Sequence, residues 1–246
     1  MPLNIKAIGH TAPLIYEEEV TSTNDLAAQL GKEGTAPFTT VMAERQTAGR
    51  GRHGRAWRTF PYHSLAMSII IPNTAPELPL VACLSLYKSC VALGVAGLGV
   101  KWPNDLMLDG RKVAGVLTES YANQTGEGRF FVLGCGVNIT QPNEDIPDVA
   151  GFLATGTAQP LSREGVAKLF LQTLQQDVAK LSHHGFASFV NDYKKACITL
   201  GQGVIWREAG REVSGLAADI TAEGCILLDT AEGRISCHSG EMIIDK

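Results

Sequence analysis

Arg50, Arg52 and Arg55, with His53, stand among Gly49, Gly51 and Gly54 in the stretch QTAGRGRHGRAW, Gln46 to Trp57. Guanidinium groups present forked donors that match phosphate and carboxylate, and glycines let a backbone come close to whatever the arginines hold. The chemistry on offer is local capture of an anion. Taken alone, the stretch suits a ligand loop and an idle turn about equally. An RNA-binding arginine-glycine tail fits less well, because one short loop between apolar runs cannot supply repeated contacts. Few carboxylates stand near these arginines in sequence, so the loop is expected to stay open until an anion neutralises it.

A second group lies in VKWPNDLML, where Lys101, Asn104 and Asp105 flank Pro103 and bring a cation, an amide and a carboxylate to one turn. The plain alternative is a salt-bridged hairpin end. Trp102 reads as core rather than ligand. Downstream, Lys112 opens the run RKVAGVLTESY, and Gly115 leaves a gap in which a ligand can lie along the strand. His10, His63, His183, His184 and His238 show no metal-ligand spacing.

The elements that must carry these residues are legible from periodicity. TTVMAER and SLAMSIII read as strands on either side of the arginine loop, the second ended by Pro72. TSTNDLAAQLGKEG reads as a short helix with hydroxyl caps at Thr21 to Thr23 and a C-terminal cap at Gly31. Further strands are predicted in GVKWPNDLMLDG, RKVAGVLTESY and RFFVLGCGVNI, with LDGRK as a hairpin turn. SREGVAKLFLQTLQQDVAKLSHHG predicts a helix capped by Ser162, and LPLVACLSLYKSCVALGV a buried one. Together these give an α+β domain, a mixed or antiparallel sheet with helices on one face. Past Leu200 the texture changes to short alternating runs with glycine-containing turns, as in a small β-barrel. The expected division is residues 1–199 and 200–246, the two parts packed together.

Composition bounds the function. The 246 residues are 45% hydrophobic, enough for a packed core, and the net charge of −4 argues against a broad basic face for nucleic acid. The six cysteines show no C-x-x-C spacing and read as reduced thiols of a cytoplasmic protein. Neither a secretory signal nor a membrane span is expected.

In their order and spacing, TSTND, QTAGRGRHGRAW, KWPNDLML, GRKVAGVL and GCGVNI resemble the biotin protein ligases, and the last ~45 residues resemble their SH3-like C-terminal domain. The resemblance implies a class II synthetase-like catalytic domain that forms biotinyl-5′-AMP from biotin and ATP. A lysine of a biotin carboxyl carrier domain then takes the biotin. By motif position, Ser22, Thr23, Asn24, Gln46, Arg50 and Arg52 are implied to hold biotin, with Gly115, Gly134 and Gly136 forming the walls. Lys112 is placed between the biotin carboxylate and the α-phosphate. Arg52, Arg55, Lys101, Asn104 and Asn138 face the nucleotide, and Trp57 packs on the adenine. Lys112, Arg52 and Asp105 are the implied catalytic set. Asp105 either assists the incoming amine or holds Mg²⁺. About twenty residues precede TSTND, too few for the helix-turn-helix of the family's repressors, so no DNA partner is expected; a homodimer stays open. His53 replaces an arginine of some relatives, which leaves its role open. Rival readings are a lipoate ligase or transferase on a related fold, a nucleic-acid module and an inactive scaffold.

Overall fold

The computed structural model describes residues 2–72, 74–126 and 128–245. In chain order the elements are α1 (Ile5–Ile8), β1 (Leu14–Val20), α2 (Thr23–Lys32), β2 (Thr40–Gln46), β3 (Ser64–Pro72), α3 (Leu78–Ala92), β4 (Leu98–Lys101), β5 (Asp105–Leu108), β6 (Arg111–Ala122), β7 (Arg129–Asn138), α4 (Arg163–His184) and α5 (Val190–Ala196). Then follow β8 (Gly203–Glu208), β9 (Arg211–Ile220), β10 (Ile226–Thr230), β11 (Gly233–Cys237) and β12 (Glu241–Ile244). The first seven strands form one mixed sheet in the order β1-β2-β3-β7-β6-β5-β4, in which β1 runs parallel to β2 and the other pairs are antiparallel.

Strand alternation decides which face does what. Met67, Ile69 and Ile71 of β3 and Leu133, Cys135 and Val137 of β7 join Val81, Leu84, Phe170 and Leu174 of α3 and α4 in the main core. This is the expected helix layer. The intervening residues point the other way. There Val41, Ile70, Phe130 and Val132 make a smaller cluster with Ala27 and Ala28, so α2 alone covers part of the second face. Beyond α2 that face is built from small residues: Ala66 and Ser68 stand opposite Gly136 and Gly134, and Gly136 stands opposite Gly115. A floor without bulk leaves room above it.

Two local readings are corrected. Gly31 lies within α2 rather than capping it, and is glycine because a Cβ there would collide with the Phe130 ring; the helix ends at Lys32 with Glu33 as its cap, followed by Gly34 at φ +83°. The hydroxyls of Ser22 and Thr23 make no cap hydrogen bond to α2's backbone. Instead the Thr23 N–H donates to Gln46 Oε1 at 2.9 Å, so the strand end supplies the cap. Elsewhere the expected devices are present. Ser162 Oγ accepts the Gly165 N–H at 2.9 Å, and Asp109 and Gly110, both at positive φ, turn β5 into β6.

The last five strands form an antiparallel sheet in the order β11-β10-β9-β8-β12. Val204, Trp206, Ile226, Leu228 and Met242 belong to the same core as the large sheet. Trp102, 1% exposed and joined to Pro103 by a cis bond, donates its indole N–H to Gly224 O at 3.1 Å. It is a core residue, as read, and it fastens the two sheets together.

Candidate active site

The cleft above the small-residue floor encloses about 310 Å³. The glycines of that floor do not leave the gap the sequence suggested. A Cβ on Gly115 would lie 2.9 Å from both Cε and Nζ of Lys112, one on Gly134 would strike the Asn24 amide, and one on Gly136 the Trp57 ring. Each glycine therefore seats one of the site's own side chains.

The arginine loop is a narrow hairpin. Arg50 bridges Ala56, the Trp57 N–H donates to Gly49 O at 2.8 Å, and the Gly51 N–H to Arg55 O at 2.6 Å. The tip is a short 3₁₀ turn, Arg52–Gly54, in which His53 takes φ 56° and is exposed. Contrary to expectation, carboxylates already meet two of its arginines. Arg50 reaches Asp25 at 2.8 Å and Glu119 at 2.9 Å, and Arg55 reaches Glu241 of β12 at 2.6 Å. Burial opposes the Arg50 charge, but the hydrogen bonds and attraction of Glu119 and Asp25 outweigh it and raise its pKa. Arg52 differs. Its hydrogen bond runs to the neutral Asn104 Oδ1 at 3.0 Å, and burial, only partly offset by the field of Asp105, lowers its pKa. A half-buried guanidinium without a carboxylate on it is poised for an incoming anion.

Lys112 sits beside it. Its Nζ lies 2.6 Å from Asp105 Oδ1 and 5.7 Å from the centre of the Trp57 ring. Its backbone pairs with an extended segment of the loop after β7: the Lys112 N–H donates to Val149 O, and the Gly151 N–H to Lys112 O, both at 2.8 Å. Pro147, Val149 and Ala150 thereby wall one end of the cleft. Asn138 donates to Gly151 O at 3.2 Å, while its buried Oδ1 and the buried Trp57 Nε1 have no protein partner, leaving an acceptor and a donor at that end.

The opposite end is a polar chain. Thr23 Oγ1 donates to Gln46 Oε1 at 3.1 Å, and Gln46 Nε2 donates to Thr59 Oγ1 at 3.2 Å. Ser68 Oγ lies 2.7 Å from Thr23 Oγ1 and 2.5 Å from Asn24 Oδ1, and Asn24 Nδ2 donates to Glu119 Oε2 at 2.6 Å. Ser68 has one proton for two acceptors, so this network has spare accepting capacity.

Of the predicted residues, Ser22, Thr23, Asn24, Gln46, Arg50, Arg52, Arg55, Trp57, Asn104, Asp105, Lys112, Gly115, Gly134, Gly136 and Asn138 all line the cleft. Lys101 does not; burial lowers its pKa against the pull of Asp105, whose charge it senses from outside. Sequence reasoning missed Glu119, Asp25, Ser68 and the 147–150 segment. For Glu119 a signal existed, since it shares the strand face of Gly115. Among the described residues no cluster of three or more His, Cys, Asp or Glu side chains could hold a metal ion, and no helix is long and apolar enough to cross a membrane.

Residues 16–138 match the model of the Biotin/lipoate A/B protein ligase family, and residues 199–245 that of the Biotin protein ligase C terminal domain. The biotin–[acetyl-CoA-carboxylase] ligase of Mycobacterium tuberculosis is 32% identical over 234 residues, covering 90% of this chain and 85% of its own. The enzyme of that name from Paracoccus denitrificans is 34% identical over 230 residues, covering 87% and 92%. Among solved structures, the biotin protein ligase of Aquifex aeolicus in complex with biotin and ATP superposes with a TM-score of 0.81 at 28% identity, covering 95% of this chain and 99% of that one.

Proposed function

We infer the roles of the cleft residues from one premise: this chain belongs to the biotin protein ligase family. It is an ATP-dependent biotin–protein ligase, forming biotinyl-5′-AMP from biotin and ATP and passing the biotin to a carrier protein of a carboxylase. The division of labour proposed here rests on one observation. Arg50, Arg52, Arg55 and Lys112 surround a cleft whose only acidic lining residue, among those described, is Asp105.

Biotin enters with its ureido ring toward the Thr23, Asn24 and Gln46 chain, which presents donors and acceptors at fixed places, and its carboxylate toward Arg52 and Lys112. That carboxylate attacks the α-phosphorus of ATP, and the bond to pyrophosphate breaks. Negative charge grows on the α-phosphoryl oxygens, where Lys112 and Arg52 already stand, so little reorganisation is needed. The nucleotide lies toward Asn138 and the 147–150 wall, with Trp57 against the base and Arg55 and Lys101 supplying longer-range positive charge. In the second step the acceptor lysine amine attacks the acyl carbon and AMP leaves. We assign Asp105 two successive duties: it fixes Lys112 during adenylation and accepts the amine proton during transfer.

Mg²⁺ fits this site only as a passenger of ATP. A single cleft carboxylate, already paired with Lys112, suits an ion held by phosphates and water, where it would neutralise charge on the departing pyrophosphate. We place the domain division at Thr199 and the protein in the cytoplasm, the latter because all six cysteines are free. The net charge of −4 supports no DNA partner.

The direct test is mass spectrometry of a biotin carboxyl carrier domain after incubation with this protein, biotin, ATP and magnesium. A biotinyl mass increment on one lysine is expected. Parallel titrations with biotin and lipoate test the polar end, and preferential binding of lipoate would overturn the proposed orientation.

A further inference from the structure

A second cavity, of about 320 Å³, lies where the two sheets meet, and the function above makes no use of it. Arg52 and Asn104 border both cavities; Glu223, Cys225, His238 and Ser239 face it from the connections between strands of the C-terminal sheet. Within it Cys225 Sγ lies 3.0 Å from His238 Nδ1. The two are cross-strand neighbours: β10 and β11 pair Ile226 with Cys237, and Cys225 and His238 each stand one position beyond. The thiol residue is buried and the imidazole residue exposed.

The pair is held firmly. Thr221 Oγ1 accepts the Cys225 N–H at 3.3 Å, and Cys225 O accepts the Thr221 N–H at 2.9 Å. One residue earlier, Gly224 O receives the Trp102 indole N–H. Burial pushes the Cys83, Cys135 and Cys197 thiols up, Cys90 to about 12 and Cys237 to about 11, and none of the five borders this cavity. An imidazole within hydrogen-bond reach is the usual means of making a thiol nucleophilic.

We propose that Cys225, with His238 as its base, is a thiol–disulfide exchange site opening into the interdomain cavity, and that it takes small disulfides. The Cys225 thiol passes its proton to His238 Nδ1, and the thiolate attacks one sulfur of the incoming disulfide. The old S–S bond breaks as the new one forms, and the departing thiolate takes the proton back from His238. The products are a mixed disulfide on Cys225 and one small thiol, with no net oxidant consumed beyond the disulfide itself.

The experiment treats the full chain with bis(2-hydroxyethyl) disulfide at pH 7 and follows intact mass, then maps the adduct by peptide mass spectrometry. The first 2-hydroxyethylthio group is expected on Cys225. His238→Asn should slow its addition about tenfold, because the exchange rate follows the thiolate fraction, and Cys225→Ser should take up none on that timescale. Thermal unfolding of each variant establishes that the fold is kept. A first adduct on any other cysteine, or a folded His238→Asn that reacts at the wild-type rate, overturns the proposal. Should the substitutions prevent folding, the position of the adduct on the wild-type chain decides the matter alone.

Discussion

Gly115→Ala should move Lys112 without removing its charge. The new Cβ would lie 2.9 Å from Lys112 Cε and Nζ, against an ordinary contact of about 3.5 Å, so the ammonium must retreat by roughly 0.6 Å or more. The next neighbour, Asp105 Oδ1, is 3.5 Å away and need not shift. Two effects on stability nearly cancel: the Lys112–Asp105 ion pair, its side chains 34% and 22% exposed, is worth at most about 1 kcal/mol, while Gly→Ala on unstrained backbone returns about 0.4–1 kcal/mol. Catalysis has no such compensation. Displacement of a positioned group by about 1 Å costs up to roughly 10²-fold, so a 10- to 100-fold fall in biotin-dependent ATP–pyrophosphate exchange is expected. A double-mutant cycle with Lys112→Ala isolates the cause, since Gly115→Ala should cost almost nothing once Lys112 is gone. Exchange within twofold of wild type in a folded Gly115→Ala protein would refute the claim that this glycine exists to seat Lys112.

Arg52→Gly should release the adenylate about 10- to 100-fold faster, since one charge-assisted phosphate contact is worth on the order of 1.5–3 kcal/mol; stronger biotin labelling of serum albumin by the mutant is the readout. Glu44 is buried, where it pairs with Arg163 at 2.5 Å and accepts the Tyr16 hydroxyl at 2.8 Å and the Tyr62 N–H at 2.5 Å. Glu44→Leu should therefore cost about 3–5 kcal/mol in chemical denaturation, and a loss below about 1 kcal/mol would show that the network is dispensable. Burial, then the hydrogen bond and charge of Glu44, raise the Tyr16 phenol to about 12. The unfolded chain ionises near the ordinary value of 10 while the folded one still holds its proton, so this contribution is complete below pH 10 and is lost as pH climbs toward about 12. Tyr16→Phe should flatten the stability profile in that window, and an unchanged slope would remove Tyr16 from it.

What the sequence carried well was whatever depends on alternation and turn chemistry. The strands on both sides of the arginine loop, the Asp109-Gly110 turn and the Ser162 cap follow from residues within a few positions of each other. The shared face of Gly115, Gly134 and Gly136 follows from strand parity once β6 and β7 pair. Partners brought by the fold were beyond reach. Asp25 and Glu241 come to Arg50 and Arg55 from opposite ends of the chain, and Gln46 caps a helix 23 residues before it. No local pattern encodes such pairs, because each depends on which elements lie side by side. The change of texture past Leu200 falls just before the second sheet begins, at β8 (Gly203–Glu208). Composition alone does not reveal that Trp206, Ile226 and Leu228 share one core with Val81 and Phe170.

The same distinction separates the three arginines that the loop presents as equivalents. Arg50 is held by two carboxylates on α2 and β6, and Arg55 by one on β12. Their favourable interactions are largely formed before any ligand arrives, so an incoming anion gains from them only by displacing Asp25, Glu119 or Glu241. Arg52 keeps its charge at a desolvation cost and has an amide oxygen for company. An anion in the cleft would relieve that cost without breaking an ion pair, and on the mechanism proposed above the gain grows as charge builds on the α-phosphoryl oxygens. Arg50 and Arg55 hold the hairpin at its root and against the C-terminal sheet; in the mechanism proposed above, Arg52 and Lys112 beside it meet the reacting charge.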